Sequence, residues 1–231
     1  MRISVGNLLN RRPRLGLIFM NIKIREHDVR DLESYARIPI AFEVSSVLDV
    51  AENLAAARSF LLTERRLATP YLKDYDAIPG NSPTDWPRRF DMSQWRMFIA
   101  EIQGQQFGGA IVACRTAELT ILEGRDDLAV LWDLRVIPAA RGQGVGAALF
   151  QAAADWAKGC GYRQLRIETQ NINVSASRFY EQQGCELISV KPKMYPGLPN
   201  EIQMIWQRDF EGSRPQSLRW SRASHANPDT D

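Results

Sequence analysis

The chain is poor in the residue types that most often carry catalysis and metal binding. Among its 231 residues there are two histidines, His27 and His225, one near each end, which argues against a histidine-based triad or a histidine-ligated metal. The three cysteines, Cys114, Cys160 and Cys185, are odd in number, widely spaced and in apolar surroundings. Neither a disulfide framework nor a zinc site is expected from them, and a reducing cytoplasm suits them. No stretch is long and apolar enough to span a bilayer, so no membrane partner is expected. The formal net charge of +2 is nearly neutral and argues against nucleic acid as the main partner. There are no internal repeats. The chemistry is left to carboxylates, phenols and backbone.

What is present is enough apolar residue, 45%, for one good core. The most informative stretch runs from Asp127 to Lys158. Leu128 to Val136 is rich in Leu, Val and Trp and reads as a strand ending before Pro138, which cannot donate to a ladder. Val145, Ala148, Leu149, Ala152, Ala153 and Trp156 then recur at the spacing of an amphipathic helix that stops at Gly159 and Gly161. Between them lies Arg141-Gly142-Gln143-Gly144-Val145-Gly146. Its glycines leave backbone N–H groups open at a positive helix end, which is chemistry for holding phosphate.

Around this centre, Asn21 to Glu26 predicts a strand and Val29 to Arg37 a short helix closed by Pro39. Val50 to Leu67 is helically spaced in places. It leads into Pro70-Tyr71-Leu72-Lys73-Asp74-Tyr75-Asp76 and a proline-rich stretch, read as an irregular binding loop. Trp95 to Ile102, Phe107 to Arg115 and Asp127 to Val136 read as strands, the first two joined by a turn at Gln103-Gly104-Gln105. Gln164 to Thr169 is a further strand. Val174 to about Gln183 is a helix capped by Asn173 and ended by Gly184, and Cys185 to Val190 and Ile202 to Arg208 are the last strands. The expected fold is α/β, a mixed sheet with helices packed against it. The Arg-rich residues 1–20 are read as an overextended start with Met20 the initiator, a targeting leader being the alternative. Residues 211–231 are read as a disordered tail.

Three readings of the glycine loop compete. A P-loop needs Gly-Lys-Ser/Thr, and Gly146-Ala147-Ala148 has neither the lysine nor the hydroxyl. A dinucleotide fingerprint fits Gly142, Gly144 and Ala147, but the loop comes late and follows a meander instead of opening a βαβ unit. The third is a pyrophosphate cradle for a coenzyme A thioester. Arg141-x-x-Gly144-x-Gly146, with Asn173 and Phe179-Tyr180-Glu181-Gln182-Gln183-Gly184, resembles the GCN5-related N-acetyltransferases, and the resemblance covers roughly Trp95 to Phe210. Phe42-Glu43-Val44, Pro70 to Tyr75, and Ile167-Glu168-Thr169-Gln170-Asn171 with Asn173 are similar to the streptothricin acetyltransferases. One departure is Trp132-Asp133, where many such proteins show Glu-Asp.

The resemblance implies a largely antiparallel sheet with a central parallel splay. It implies one domain over residues 21–210, with an acceptor side at about 39–92 and an acetyl-CoA core at about 95–210. Carried over, backbone groups of Leu134 and Val136 would pair with the pantetheine arm, Arg141, Gly142, Gln143, Gly144, Val145 and Gly146 would hold the pyrophosphate, and Asn173 would bind the arm further along. Tyr180 is the expected acid toward the thiolate and Asp133 the expected base, with Glu43 and Glu168 as other carboxylate candidates. Glu43, Tyr71, Asp74, Tyr75 and Glu168 are expected to meet a cationic acceptor. The expected activity is direct acetyl transfer from acetyl-CoA to a primary amine of a small, streptothricin-like cation, without metal, by a monomer or homodimer. A protein N-acetyltransferase of the same fold and a CoA-binding module without turnover are the alternatives.

Overall fold

A computed structural model describes residues 21–52, 60–210 and 219–222. The strands are β1 (Lys23–His27), β2 (Phe42–Glu52), β3 (Phe60–Lys73), β4 (Arg96–Ile102), β5 (Gln105–Ala113), β6 (Leu128–Val136), β7 (Gln164–Gln170), β8 (Glu186–Lys191), β9 (Gln203–Asp209) and β10 (Arg219–Arg222). The helices are α1 (Leu32–Ala36), α2 (Val145–Gly159) and α3 (Val174–Gln182). A seven-stranded sheet runs β1-β4-β5-β6-β7-β9-β8, and a three-stranded one runs β10-β3-β2. In the larger sheet only β6 and β7 pair in parallel. The expected α/β fold, largely antiparallel with a central parallel pair, is the one found.

The sheet has a core on each face. On one, α2 turns Val145, Leu149, Phe150, Ala153, Ala154 and Ala157 inward, while Ala148, Ala152 and Trp156 of the expected stripe are half-buried. Tyr180 of α3 joins this core. On the other face Tyr35 of α1 is fully buried beside Trp86, Trp95, Trp132 and Phe90, whose rings meet edge to face, tilted or, for Phe90 and Trp95, stacked. Gly109 makes room for it: a Cβ there would lie 2.6 Å from the Tyr35 ring.

The smaller sheet corrects two expectations. Of the stretch Val50 to Leu67, the described residues 50–52 and 60–67 are strand and not helix, because β2 and β3 pair antiparallel with Leu62 fully buried and its neighbour Leu61 38% exposed, a period of two, while residues 53–59 lie outside the described residues. Cross-strand pairs set this register, including Arg65 on Asp49 at 2.8 Å. Pro70 falls within β3, in the irregularity between the Val44–Tyr71 and Ser46–Arg66 pairs, where no ladder hydrogen bond is lost. The tail is also not wholly irregular, since β10 pairs in parallel with Leu61 to Glu64. The rest of residues 211–231, like residues 1–20, lies outside the described residues. Asn171 ties the two sheets together: its backbone oxygen accepts from Leu48 N at 2.9 Å, its side-chain amide donates to Leu48 O at 3.1 Å, and its side-chain oxygen accepts from Ile202 N at 2.9 Å.

Candidate active site

The parallel ladder between β6 and β7 lasts only from Leu128–Gln164 to Leu131–Ile167. Beyond it β6 continues to Val136 against β5, and β7 continues to Gln170 against β9. The strands part there, and backbone groups of Trp132 to Val136 are left without a ladder on the β7 side. The β5 register shifts between Ile111–Asp133 and Val112–Leu131, so Trp132 is the extra residue of a bulge. This turns Asp133 to the face of Tyr35 while Leu134 joins the α2 face.

At the mouth of the gap, Gly142 and Gly144 hold φ of 72° and 87°, a conformation that glycine adopts without steric cost. A Cβ at either would meet nothing within 4 Å, and Gly144 begins α2 without a side-chain cap. An open helix N-terminus under two uncrowded glycines fits a pyrophosphate. At Gly146 a Cβ would meet Phe179 at 3.6 Å, an ordinary contact. Val145 is buried core, so only its backbone can serve a ligand. Arg141 turns out differently from the expected phosphate ligand. Its Nε donates to Val136 O at 2.9 Å and its Nη2 to Pro39 O and Ala41 O, so the guanidinium pins the loop to β6 and to the segment before β2. The Gln143 amide likewise donates to Ala139 O at 2.6 Å. Asn173 caps α3, accepting from Ala176 N at 3.1 Å.

Tyr180 is buried on α3 against Phe150 and Phe179. Burial, with smaller effects of Cys185 and Asp133, pushes its phenol well above the usual range, so it stays protonated. Asp133 is not the free base expected of it. Oδ1 accepts from Tyr35 OH at 2.6 Å and from Arg135 Nε at 2.8 Å, and Oδ2 accepts from Arg135 Nη2 at 2.7 Å. Arg135 also donates to Asp76 at 2.8 Å and to Ile38 O at 3.1 Å. Both oxygens of Asp133 are thus already engaged by Tyr35 and Arg135.

The acceptor-side expectations divide. Glu43 and Asp74 are exposed, and Asp74 accepts from the Asp76 backbone, so neither is drawn into the cluster. Glu168 is half-buried, with Oε1 accepting from Tyr195 OH at 2.6 Å and Oε2 from Gln203 Nε2 at 2.8 Å. Both donors are neutral, and among the described residues no cation pairs with it. Glu201, which the sequence reading missed, is 6% exposed and accepts from Lys73 Nζ at 2.5 Å and Tyr75 OH at 2.8 Å. Lys73 Nζ also sits 4.7 Å over the Tyr75 ring. Tyr195 is pushed up by burial first, then by Glu168, and more weakly by Glu201, so one phenol feels both carboxylates. Tyr71, 45% exposed, is raised by burial and by Glu201. Two carboxylates and three tyrosines thus converge beside the gap. Only the pairing of residues more than a hundred positions apart in the chain reveals Glu201 as a member.

A profile of the acetyltransferase (GNAT) family matches residues 64–185. The chain belongs to that family and is an acetyltransferase. It is 33% identical to the streptothricin acetyltransferase of Streptomyces lavendulae over 171 residues, 74% of this chain and 85% of that one. It is 28% identical to streptothricin acetyltransferase A of Bacillus subtilis (strain 168) over 151 residues, 64% and 79% of the two chains. In structure it is similar to a protein of Bacillus anthracis str. Ames assigned as a streptothricin acetyltransferase and solved in complex with acetyl coenzyme A. That match has a TM-score of 0.65 and 25% identity, and covers 82% of this chain and 99% of the other.

Proposed function

We propose that the enzyme transfers the acetyl group of acetyl-CoA to a primary amine of a small cationic acceptor of the streptothricin type. The observation that carries this is the cluster of Glu168, Glu201, Tyr71, Tyr75 and Tyr195 beside the β6–β7 gap. An ammonium leaving water needs carboxylates and aromatic faces to replace its hydration. Acetyl-CoA supplies, when bound, an acetyl group activated as a thioester. The open N-terminus of α2 with Gly142 and Gly144 holds the pyrophosphate, the edge of β6 that carries no β7 ladder, at Leu134 and at Val136, whose carbonyl Arg141 already occupies, receives the pantetheine arm, and Asn173 assists further along.

Glu168 is the base in this reading. Its two partners are neutral and leave it able to take a proton from the acceptor ammonium, whereas Asp133 is committed to Arg135. The freed amine attacks the acetyl carbon directly, since proximity makes a covalent enzyme intermediate unnecessary. The buried Tyr180 phenol donates a hydrogen bond to the departing thiolate. Residues 21–210 act as one domain, and the three unpaired cysteines suit the reducing cytoplasm.

Release of free CoA should be followed with streptothricin, with simple mono- and diamines, and with a peptide bearing a free N-terminus. The proposal expects streptothricin or another small cation to be acetylated at least tenfold more efficiently than the peptide. Ready acetylation of the peptide with streptothricin inert would transfer the assignment to a protein N-acetyltransferase.

A further inference from the structure

The ion pair between Lys73 and Glu201 is an unusual thing to find in a site that receives an ammonium. Lys73 is itself a primary ammonium. Its side chain is 12% exposed and that of Glu201 7%. It makes the contacts an incoming cation would seek: a carboxylate at 2.5 Å and the face of Tyr75 at 4.7 Å. The ring that receives it is fixed, because Tyr75 OH donates to the second oxygen of Glu201 at 2.8 Å and Phe42 lies 6.2 Å from the ring. The surrounding titratable groups are Tyr71 and Tyr75 from β3 and the turn after it, Glu168 from β7, and Tyr195 and Glu201 from the segment between β8 and β9, with Glu43 of β2 exposed to solvent. Lys73 cancels Glu201, and Glu168 is left as the uncompensated charge.

We propose that Lys73 is a resident ammonium that sets the protonation of the acceptor: it occupies the Glu201 subsite and leaves a single carboxylate, Glu168, to receive the reacting amine. The inference rests on the cationic-amine reading above. With two free carboxylates the site would bind an ammonium tightly but hold its proton, and a protonated amine cannot attack. One carboxylate with a neighbouring cation still attracts the acceptor yet weakens its hold on the proton. Lys73 is thus a positioning and specificity residue. It makes no contact with the transferred group.

The signature is a pair of opposite displacements. The acid limb of kcat reports groups in the enzyme–acceptor complex. In Lys73→Met the site gains net negative charge, so the bound amine keeps its proton to higher pH. The limb should move up by about one pH unit while KM near neutrality falls about fivefold. In Glu201→Gln the site loses negative charge, so the limb should move down and KM rise by similar factors. Lys73→Arg should restore the wild-type profile. Because Lys73→Met leaves a buried carboxylate unpaired and could fail to fold, Lys73→Met/Glu201→Gln is made as well. It removes both charges and should return close to the wild-type limb.

The acceptor is streptothricin or, if wild type is inert toward it, the primary amine that releases CoA fastest. A wild type that acetylates an amine, with Lys73→Met and Glu201→Gln both losing rate and leaving the limb unmoved, makes the pair a structural pin and overturns this inference alone. A wild type inert toward every small amine removes the cationic-amine reading and this inference with it.

Discussion

The hydroxyl of Tyr35 lies 2.6 Å from Oδ1 of Asp133 and donates to it, although 98 positions separate them. Burial first, then the Asp133 charge, push the phenol well up, so it remains a donor at any working pH. With Arg135 on the other side, Asp133 is a buried node that fastens α1 and Asp76 to β6. Asp133→Asn should therefore destabilise the fold by roughly 3 kcal/mol, since it leaves a buried guanidinium short of charge. It should alter KM for singly and multiply charged amines by the same factor. Thermal unfolding and paired kinetics check both. A selective rise in KM for the polycation would return Asp133 to the acceptor site.

At the glycine loop two neighbouring substitutions should separate. Gly144 needs its φ of 87° and opens onto the space proposed for phosphate, so Gly144→Val should weaken acetyl-CoA binding at least a hundredfold in a protein that still folds. Gly146→Ala adds a methyl at 3.6 Å from Phe179 and should change binding less than threefold. Calorimetric titration with acetyl-CoA distinguishes them. Equal behaviour of the two would mean that the loop is not a phosphate cradle.

The cysteines should prove inert to catalysis and unequal to reagents. Cys160 is exposed, Cys114 is buried and donates to Gln94 O at 3.0 Å, and burial pushes the buried Cys185 up to about 12. The reactive species is the thiolate, which a raised pKa makes scarcer at a given pH. Iodoacetamide at mildly alkaline pH should label Cys160 in the native protein and all three after unfolding, with no loss of activity on labelling Cys160. Mass spectrometry reads the sites.

These expectations show which parts of the molecule sequence could reach. Gly142, Gly144 and the Asn173 cap were legible because a positive φ and a helix N-terminus are local demands on residue type. The β6–α2–β7 order was legible through periodicity. The acceptor cluster was only half visible. Tyr71, Tyr75 and Glu168 were named from motifs, but Glu201 reaches Lys73 across 128 positions, and no local pattern marks it. Asp133 was identified and its role misjudged, because its neutralising partners depend on how α1 crosses the sheet and on the room left by Gly109. The helical spacing seen in places from Val50 to Leu67 misleads at residues 50–52 and 60–67, where cross-strand pairing, not local spacing, decides burial. β10 was missed because a short polar segment gains strand structure only from pairing with β3.

Tyr180 gives the most direct test of the chemical step. Its phenol is buried and held well above its usual range, by burial first and then by Cys185 and Asp133, so full transfer of its proton to a thiolate of pKa about 8.5 is uphill. A hydrogen bond that strengthens as charge builds on sulfur needs no such transfer. Two results follow. Tyr180→Phe should lower kcat about ten- to a thousandfold with acetyl-CoA affinity nearly unchanged, the pattern of an interaction made in the transition state. The sign of the shift also bears on pH: a raised phenol keeps its proton at higher pH, so wild-type kcat should show no alkaline fall from this group up to about pH 10, where an unperturbed tyrosine would be half ionised. Steady-state kinetics with chemistry rate-limiting, together with calorimetry, decide the matter. An unchanged kcat in Tyr180→Phe would leave the residue a core aromatic beside Phe150 and Phe179.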